Sequence, residues 1–178
     1  MLKLFGKGKE YSWESPFRST FINNENGKDK SGSTESYNSV LEKWKLFNRG
    51  EFLYNKVGAI YQKTYVKPNS FGWVNEDRTL YNYDTEGLLA QEVFLNWQDT
   101  RWINYQKTNY QYQKDKSIST AEFFKIEKTT GKLNSAPEKR QIYSYDRAGN
   151  LIELIVQVNR DNRWKDKFKR VNFWTKVN

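Results

Sequence analysis

The chain has 178 residues, with 30 Lys and Arg against 21 Asp and Glu for a formal net charge of +9; 37% of residues are hydrophobic and 17% aromatic. With no cysteine and no histidine, disulfides, cysteine zinc sites and the commonest metal ligand and general base are excluded. The 7 Trp, 12 Tyr and 11 Phe are spread along the chain and argue against intrinsic disorder, and no apolar run approaches the roughly 18 residues of a membrane helix.

The first elements are the least regular. The opening stretch, residues 1–7, is too short in apolar run and too broken by lysine to read as a secretory signal. Trp13, Phe21 and Gly27 fit the outline of a repeat that is clearer downstream, while residues 23–39, dense in Asn, Gly, Ser and Lys, read as a long or mobile loop. A helical turn is expected near Val40, Leu41, Glu42 and Lys43. Residues 1–43 are therefore set apart as an N-terminal segment with a degenerate repeat and a polar loop, and residues 44–178 as a β-hairpin repeat domain.

From Trp44 onward a period governs the chain. Trp44, Trp73, Trp102 and Trp164 each stand ten residues before an aromatic, namely Tyr54, Tyr83, Tyr112 and Trp174. With Tyr145 included, these aromatics are spaced by about 29, 29, 33 and 29 residues, the mark of a tandem array. Residues 44–54 and 60–66 form the first clear pair of strands. In residues 73–83, strict alternation puts Trp73, Asn75, Asp77, Thr79, Tyr81 and Tyr83 on one face of a strand and Val74, Glu76, Arg78, Leu80 and Asn82 on the other. Asp84-Thr85-Glu86-Gly87 then supplies a hairpin turn with a residue tolerant of positive φ in fourth place, and residues 88–95 return as a strand.

After the polar turn at Gln98, Asp99 and Thr100, the unit starting at Trp102 repeats the pattern, but Lys116 replaces the turn glycine, so a less tight turn is expected there. Residues 118–126 form a strand and Thr129-Thr130-Gly131-Lys132 turns the chain. The next repeat start is degraded, with Leu133 or Ser135 in the tryptophan position and Pro137 nearby. Asp146-Arg147-Ala148-Gly149 restores the turn, residues 151–156 a strand, and residues 164–174 a final half repeat. The sum is an all-β antiparallel meander of about 10 to 12 strands in hairpin units of about 29 to 31 residues, either an extended or curled sheet or a closed up-and-down barrel.

Tyr83-Asp84-Thr85-Glu86-Gly87-Leu88-Leu89 and Tyr145-Asp146-Arg147-Ala148-Gly149-Asn150-Leu151 resemble the Tyr-Asp-x-x-Gly-x-Leu core of YD repeats, the hairpin units of Rhs-type proteins. The tryptophan-led version, Trp-x-Asn followed by Arg or Lys ahead of Tyr-x-Tyr, is similar to hairpin arrays of exported Bacteroidota proteins. The resemblance covers residues 44–174 and implies a surface or secreted β-repeat protein used as scaffold, adhesin or interaction module.

Candidate chemistry is sparse. No phosphate loop, zinc spacing or calcium loop is present. Asp84 and Asp146 read as turn formers, and Glu92, Glu122 and Glu153 as equivalent strand positions pairing with cations across strands; no catalytic residue, metal or cofactor is expected. Residues 160–178 hold seven bases and two acids. Alternation there puts Lys165, Lys167 and Lys169 on one face and Trp164, Phe168 and Trp174 on the other, a basic stripe suited to a polyanion or to guarding an edge strand. The repeat-positioned tryptophans read as core pillars, which leaves the off-period Trp97 and Tyr105 as the aromatic ligand candidates. The expectation is a non-enzymatic scaffold or interaction protein, cell-surface or secreted, that binds a protein partner; a carbohydrate-binding or glycan-active module and a nucleic-acid binder are the alternatives.

Overall fold

The computed structural model describes residues 17–38, 40–127 and 132–174. It contains eleven strands: β1 (Phe17–Asn23), β2 (Asp29–Asn38), β3 (Lys43–Tyr54), β4 (Ile60–Asn69), β5 (Gly72–Tyr83), β6 (Leu89–Gln98), β7 (Arg101–Tyr112), β8 (Ile118–Lys125), β9 (Lys139–Tyr145), β10 (Leu151–Arg160) and β11 (Arg163–Val171). They form one antiparallel meander sheet in which spatial order follows chain order, with β1 and β11 at its two ends, so the sheet is not closed into a barrel. No helix occurs among the described residues; Val40, Leu41 and Glu42 form a turn instead of the expected helical turn, their amides claimed in part by the Asn38 side chain. The chain divides into two units, Met1–Leu53 with Lys63–Glu76, and Tyr54–Gln62 with Asp77–Asn178.

Two kinds of turn alternate. The first is built on Asn24, Asn55, Asp84, Gln113 and Asp146. At Asp84, the backbone N–H bonds the Leu88 carbonyl at 2.9 Å and the Gly87 N–H returns to the Asp84 carbonyl at 3.1 Å. The carboxylate oxygen Oδ1 accepts from the Glu86 and Leu88 amides, both at 2.9 Å. Asn24, Asn55 and Asp146 repeat this side-chain clamp, and Gly27, Gly58, Gly87 and Gly149 take φ between +73° and +83° at the position that requires it. The second kind, at Gln98–Arg101 and Arg160–Arg163, has two central residues with positive φ (Asp99 46°, Thr100 84°, Asp161 54°, Asn162 59°), the twist-matched hairpin turn.

Two expectations need correction. Residues 29–38 are strand β2, paired on both sides, not loop. A segment of Ser, Thr and Gly has weak intrinsic strand preference, but the Phe21 ring lies over Gly32, close enough that a Cβ there would meet it at 2.8 Å, and Gly50, opposite Gly32, is covered the same way by Tyr65. Aromatic cover of paired glycines makes this polar strand fit its neighbours. The Lys116 turn, in turn, is as tight as the glycine turns: Gln113 N–H reaches the Ser117 carbonyl at 2.8 Å and Lys116 N–H the Gln113 carbonyl at 3.0 Å, with Lys116 at φ +67°. Asp115 holds it by accepting from the Ser117 amide and hydroxyl, at 3.0 and 2.6 Å.

Burial is shallow on both faces. Among the described residues only Ala121 and Phe124 are buried hydrophobics, and Thr64, Thr79 and Thr108 are buried polar residues, each in its own strand. Side chains instead bond along the sheet. The aromatic ten residues after the repeat tryptophan reaches back to the strand that follows the preceding turn: Tyr83 Oη donates to the Ile60 carbonyl at 2.7 Å, Tyr112 Oη to Leu89 at 2.9 Å, and Trp174 Nε1 to Leu151 at 3.0 Å. Each of these three aromatics thus caps a carbonyl 23 residues earlier in the chain.

Lys116 adopts a backbone conformation that costs a side-chain-bearing residue about 1 kcal/mol, and its ion pair to Glu86 is exposed at both ends. The Lys116→Gly variant is expected to raise the urea midpoint by an amount equivalent to about 0.5–1 kcal/mol, and Gly87→Ala to lower it by about 1 kcal/mol.

Candidate functional site

The repeat tryptophans are fixed by a cation from two strands away. Arg18 stacks over Trp44 at 4.6 Å, Arg49 over Trp73 at 4.3 Å, Arg78 over Trp102 at 4.2 Å and Arg140 over Trp164 at 4.3 Å from guanidinium carbon to ring centroid. Each side chain spans the intervening strand. Arg18 passes over Glu35 at 2.6 Å, and Arg140 donates through Nε to Gln157 Oε1 at 2.6 Å on its way. On the other side Trp44 packs against Tyr37 and Trp102 against Trp97, with ring centroids 5.4 and 5.1 Å apart.

A β-bulge makes this geometry work. In β7, Asn104 pairs with Leu95 and Gln106 with Phe94, so Tyr105 is the extra residue; in β3 it is Phe47 and in β11 it is Lys167, each three residues after the repeat tryptophan. The bulge resets alternation, so Trp44 and Arg49, Trp102 and Lys107, and Trp164 and Lys169 share a face despite their odd spacing. Strict alternation had separated tryptophan from cation; the Arg78 side chain lies on the face of Trp97 and Trp102. At the degraded repeat start Leu133 bridges Ile126, which stands 29 residues after Trp97, so Leu133 and not Ser135 takes the missing tryptophan's place; Lys107 stacks instead on Phe124 of the adjacent strand at 4.3 Å.

The candidate ligand residues scatter. Trp97 is half-buried and edge-on to Trp102, on the face opposite Phe94. Tyr105, at the bulge, is 56% exposed. Lys165 and Lys169 do not share a face: Lys165 pairs with Val158 and Lys169 with Ile155, so the two lie on opposite sides of the sheet with Lys167 at the bulge between them. Lys169 is held by Glu153 at 2.5 Å. The single-faced basic stripe expected from alternation is therefore a basic edge with charge on both sides.

Several carboxylates have structural partners. Glu35, Glu76, Glu86, Glu138 and Glu153 pair with Arg18, Lys67, Lys116, Lys125 and Lys169. Hydrogen bonds from the turn hold the Asp115 and Asp146 carboxyls below the usual aspartate range. Glu92, Glu122 and Glu153 are not equivalent: Glu92 accepts from Tyr110 Oη at 2.8 Å on the face opposite the one carrying Glu122 and Glu153. Burial first, then Glu92, pushes the Tyr110 hydroxyl well above the ordinary tyrosine range. Among the described residues no cluster of three or more acidic, His or Cys side chains could hold a metal, and no helix is long and apolar enough to cross a membrane.

No protein-family model matches the chain, and no curated protein matches it. Among solved structures, a protein of unknown function from Bacteroides fragilis aligns at 15% identity and a TM-score of 0.38 over 88% of this chain and 91% of its own. A DUF3836 family protein from Parabacteroides distasonis aligns at 20% identity and 0.37 over 48% and 83% of the two chains, and one from Bacteroides vulgatus at 15% and 0.42 over 53% and 98%. Likeness at this level assigns no family.

Tyr110 gives a pH signature. An unfolded tyrosine ionises near pH 10, while in the folded chain burial and Glu92 hold the proton to higher pH. Its contribution to stability is whole below about pH 10 and is lost as the pH climbs from there toward the folded value. Urea unfolding between pH 8 and 11 should show stability falling above about pH 10, with a shallower fall in Tyr110→Phe; parallel slopes would assign the loss to other groups.

Proposed function

We propose that the chain is a non-enzymatic β-hairpin repeat protein that acts as a scaffold or interaction module at a cell surface or within a secreted assembly, and that its partner is a protein. What carries this reading is the employment of the polar and aromatic groups. The repeat tryptophans Trp44, Trp73, Trp102 and Trp164 are stacked by arginines, and carboxylates such as Glu76, Asp84, Asp146 and Glu153 serve in turns and ion pairs. With neither His nor Cys in the sequence, little remains from which to build a reaction centre.

The strands at the ends of the sheet order, β1 and β11, are the natural docking sites, because strand addition satisfies backbone groups without a preformed pocket. β11, with Arg163, Lys165, Lys167 and Arg170 exposed, favours an acidic partner strand over an uncharged one. The hairpin turns that resemble YD repeats support placement at a surface or outside the cell.

Affinity capture with the purified chain, from envelope and soluble fractions of the native cells, followed by amide hydrogen exchange on the recovered complex, tests this. A stoichiometric protein partner that slows exchange in residues 17–23 or 163–171 is expected. Recovery of polysaccharide alone, with protection around Tyr105, would replace the reading with a glycan-binding module. Nucleic acid held with a steep salt dependence would replace it with a nucleic-acid binder.

A further inference from the structure

Two neighbouring hairpin tips of one unit break the polar rule that the β6–β7 and β10–β11 tips, turns of the same kind, obey. Where β6–β7 turns on Asp99 and Thr100, and β10–β11 on Asp161 and Asn162, the β2–β3 turn presents Val40 and Leu41 and the β4–β5 turn presents Phe71. Phe71 is 97% exposed and Val40 89%. The two hairpins are adjacent in the sheet, which sets their tips about two strand spacings, ~10 Å, apart. A Phe gains nothing from such exposure in water, and its amide is already fixed, donating to Asn69 Oδ1 at 2.9 Å. The Val40 and Leu41 amides likewise donate to Asn38 Oδ1, at 3.1 and 2.9 Å.

We infer that these tips dock on a lipid surface carrying anionic headgroups. Three observations select a bilayer as the occupant. Val40, Leu41 and Phe71 project from turns that also carry Glu42 and Ser70, and the backbone N–H groups of the three apolar residues are satisfied within the turn, as entry into a water-poor layer requires. Directly behind them stand Tyr37, Trp44 and Trp73, the residue types that settle at the boundary between acyl chains and headgroups; Tyr37 and Trp73 are themselves exposed. Lys43 and Lys45, both exposed, flank Trp44 along β3, in a chain of net charge +9, where anionic headgroups would meet them. An apolar tip with aromatics and lysines together at its base is the composition of an interfacial anchor. The docking is peripheral, and it stands independently of the scaffold reading.

The test uses the full chain and vesicles of phosphatidylcholine containing phosphatidylglycerol. Because the chain has no cysteine, Phe71→Cys and Val57→Cys each give a unique attachment point for an environment-sensitive fluorophore. Val57 is a matched control, 86% exposed in a turn of the other kind. A blue shift on vesicle addition for the label at residue 71 and none at residue 57 is expected, together with at least a tenfold lower vesicle partition coefficient for a Val40→Ser, Leu41→Ser, Phe71→Ser variant whose thermal unfolding is unchanged. No partition of the parent chain, or equal partition of parent and triple variant, overturns the proposal. The first of these is also the outcome if the tips fill an apolar pocket of a protein.

Discussion

An arginine lying over a tryptophan two strands away is the contact on which this sheet depends. A sheet with only shallow burial on either face has no second layer to hold its strands in register, so most of its order must be made in the plane. Backbone pairing joins each strand to the next; the Arg18–Trp44, Arg49–Trp73, Arg78–Trp102 and Arg140–Trp164 stacks join β1 to β3, β3 to β5, β5 to β7 and β9 to β11. A cation–π contact of this kind contributes about 0.5–1 kcal/mol when exposed and more when water is excluded. Flanking rings and the intervening Glu35 or Gln157 exclude some of that water. The aromatic hydroxyl that caps a carbonyl at the far end of the hairpin adds a net ~1 kcal/mol. Repeated once per hairpin, such terms sum along the array as nearest-neighbour couplings.

The bulge three residues after the tryptophan is what allows one strand to both offer and receive. With strict alternation the tryptophan and the cation five residues later would face opposite sides, and the stacks would alternate between faces without forming a chain of contacts. The extra residue, Phe47, Tyr105 or Lys167, is pushed out of the pairing and exposed as a consequence. Their exposure is first a product of register. Tyr105 attracted a functional reading from the sequence because it falls outside the period, and Lys167 because alternation grouped it with Lys165 and Lys169; both stand at the bulge.

The turns were legible because their chemistry is local. Tyr-Asp-x-x-Gly states its clamp, its positive φ and its aromatic cap within a few residues, and strand number and antiparallel order follow from counting such turns. What was hidden is non-local. β2 looks like loop until Phe21 and Tyr65 are seen to cover its glycine and the glycine opposite. Lys116 looks like a broken turn until Asp115 and Ser117 are seen to hold it. The face assignment of β11 failed at a bulge that no residue type announces. Among candidate functional groups, the cation five residues after each tryptophan was in plain view as a spacing, whereas the exposure of Val40 and Phe71 required the hairpin tips to be located first.

A double-mutant cycle on one rung is the most direct measurement, with Arg78→Gln, Trp102→Leu and the pair compared by urea unfolding. The stacking account predicts a coupling of about 0.5–1.5 kcal/mol, the double variant being less destabilised than the sum of the singles. Additivity within about 0.3 kcal/mol would mean that tryptophan and arginine stabilise the sheet separately, and that its register is held by the backbone and the turns alone.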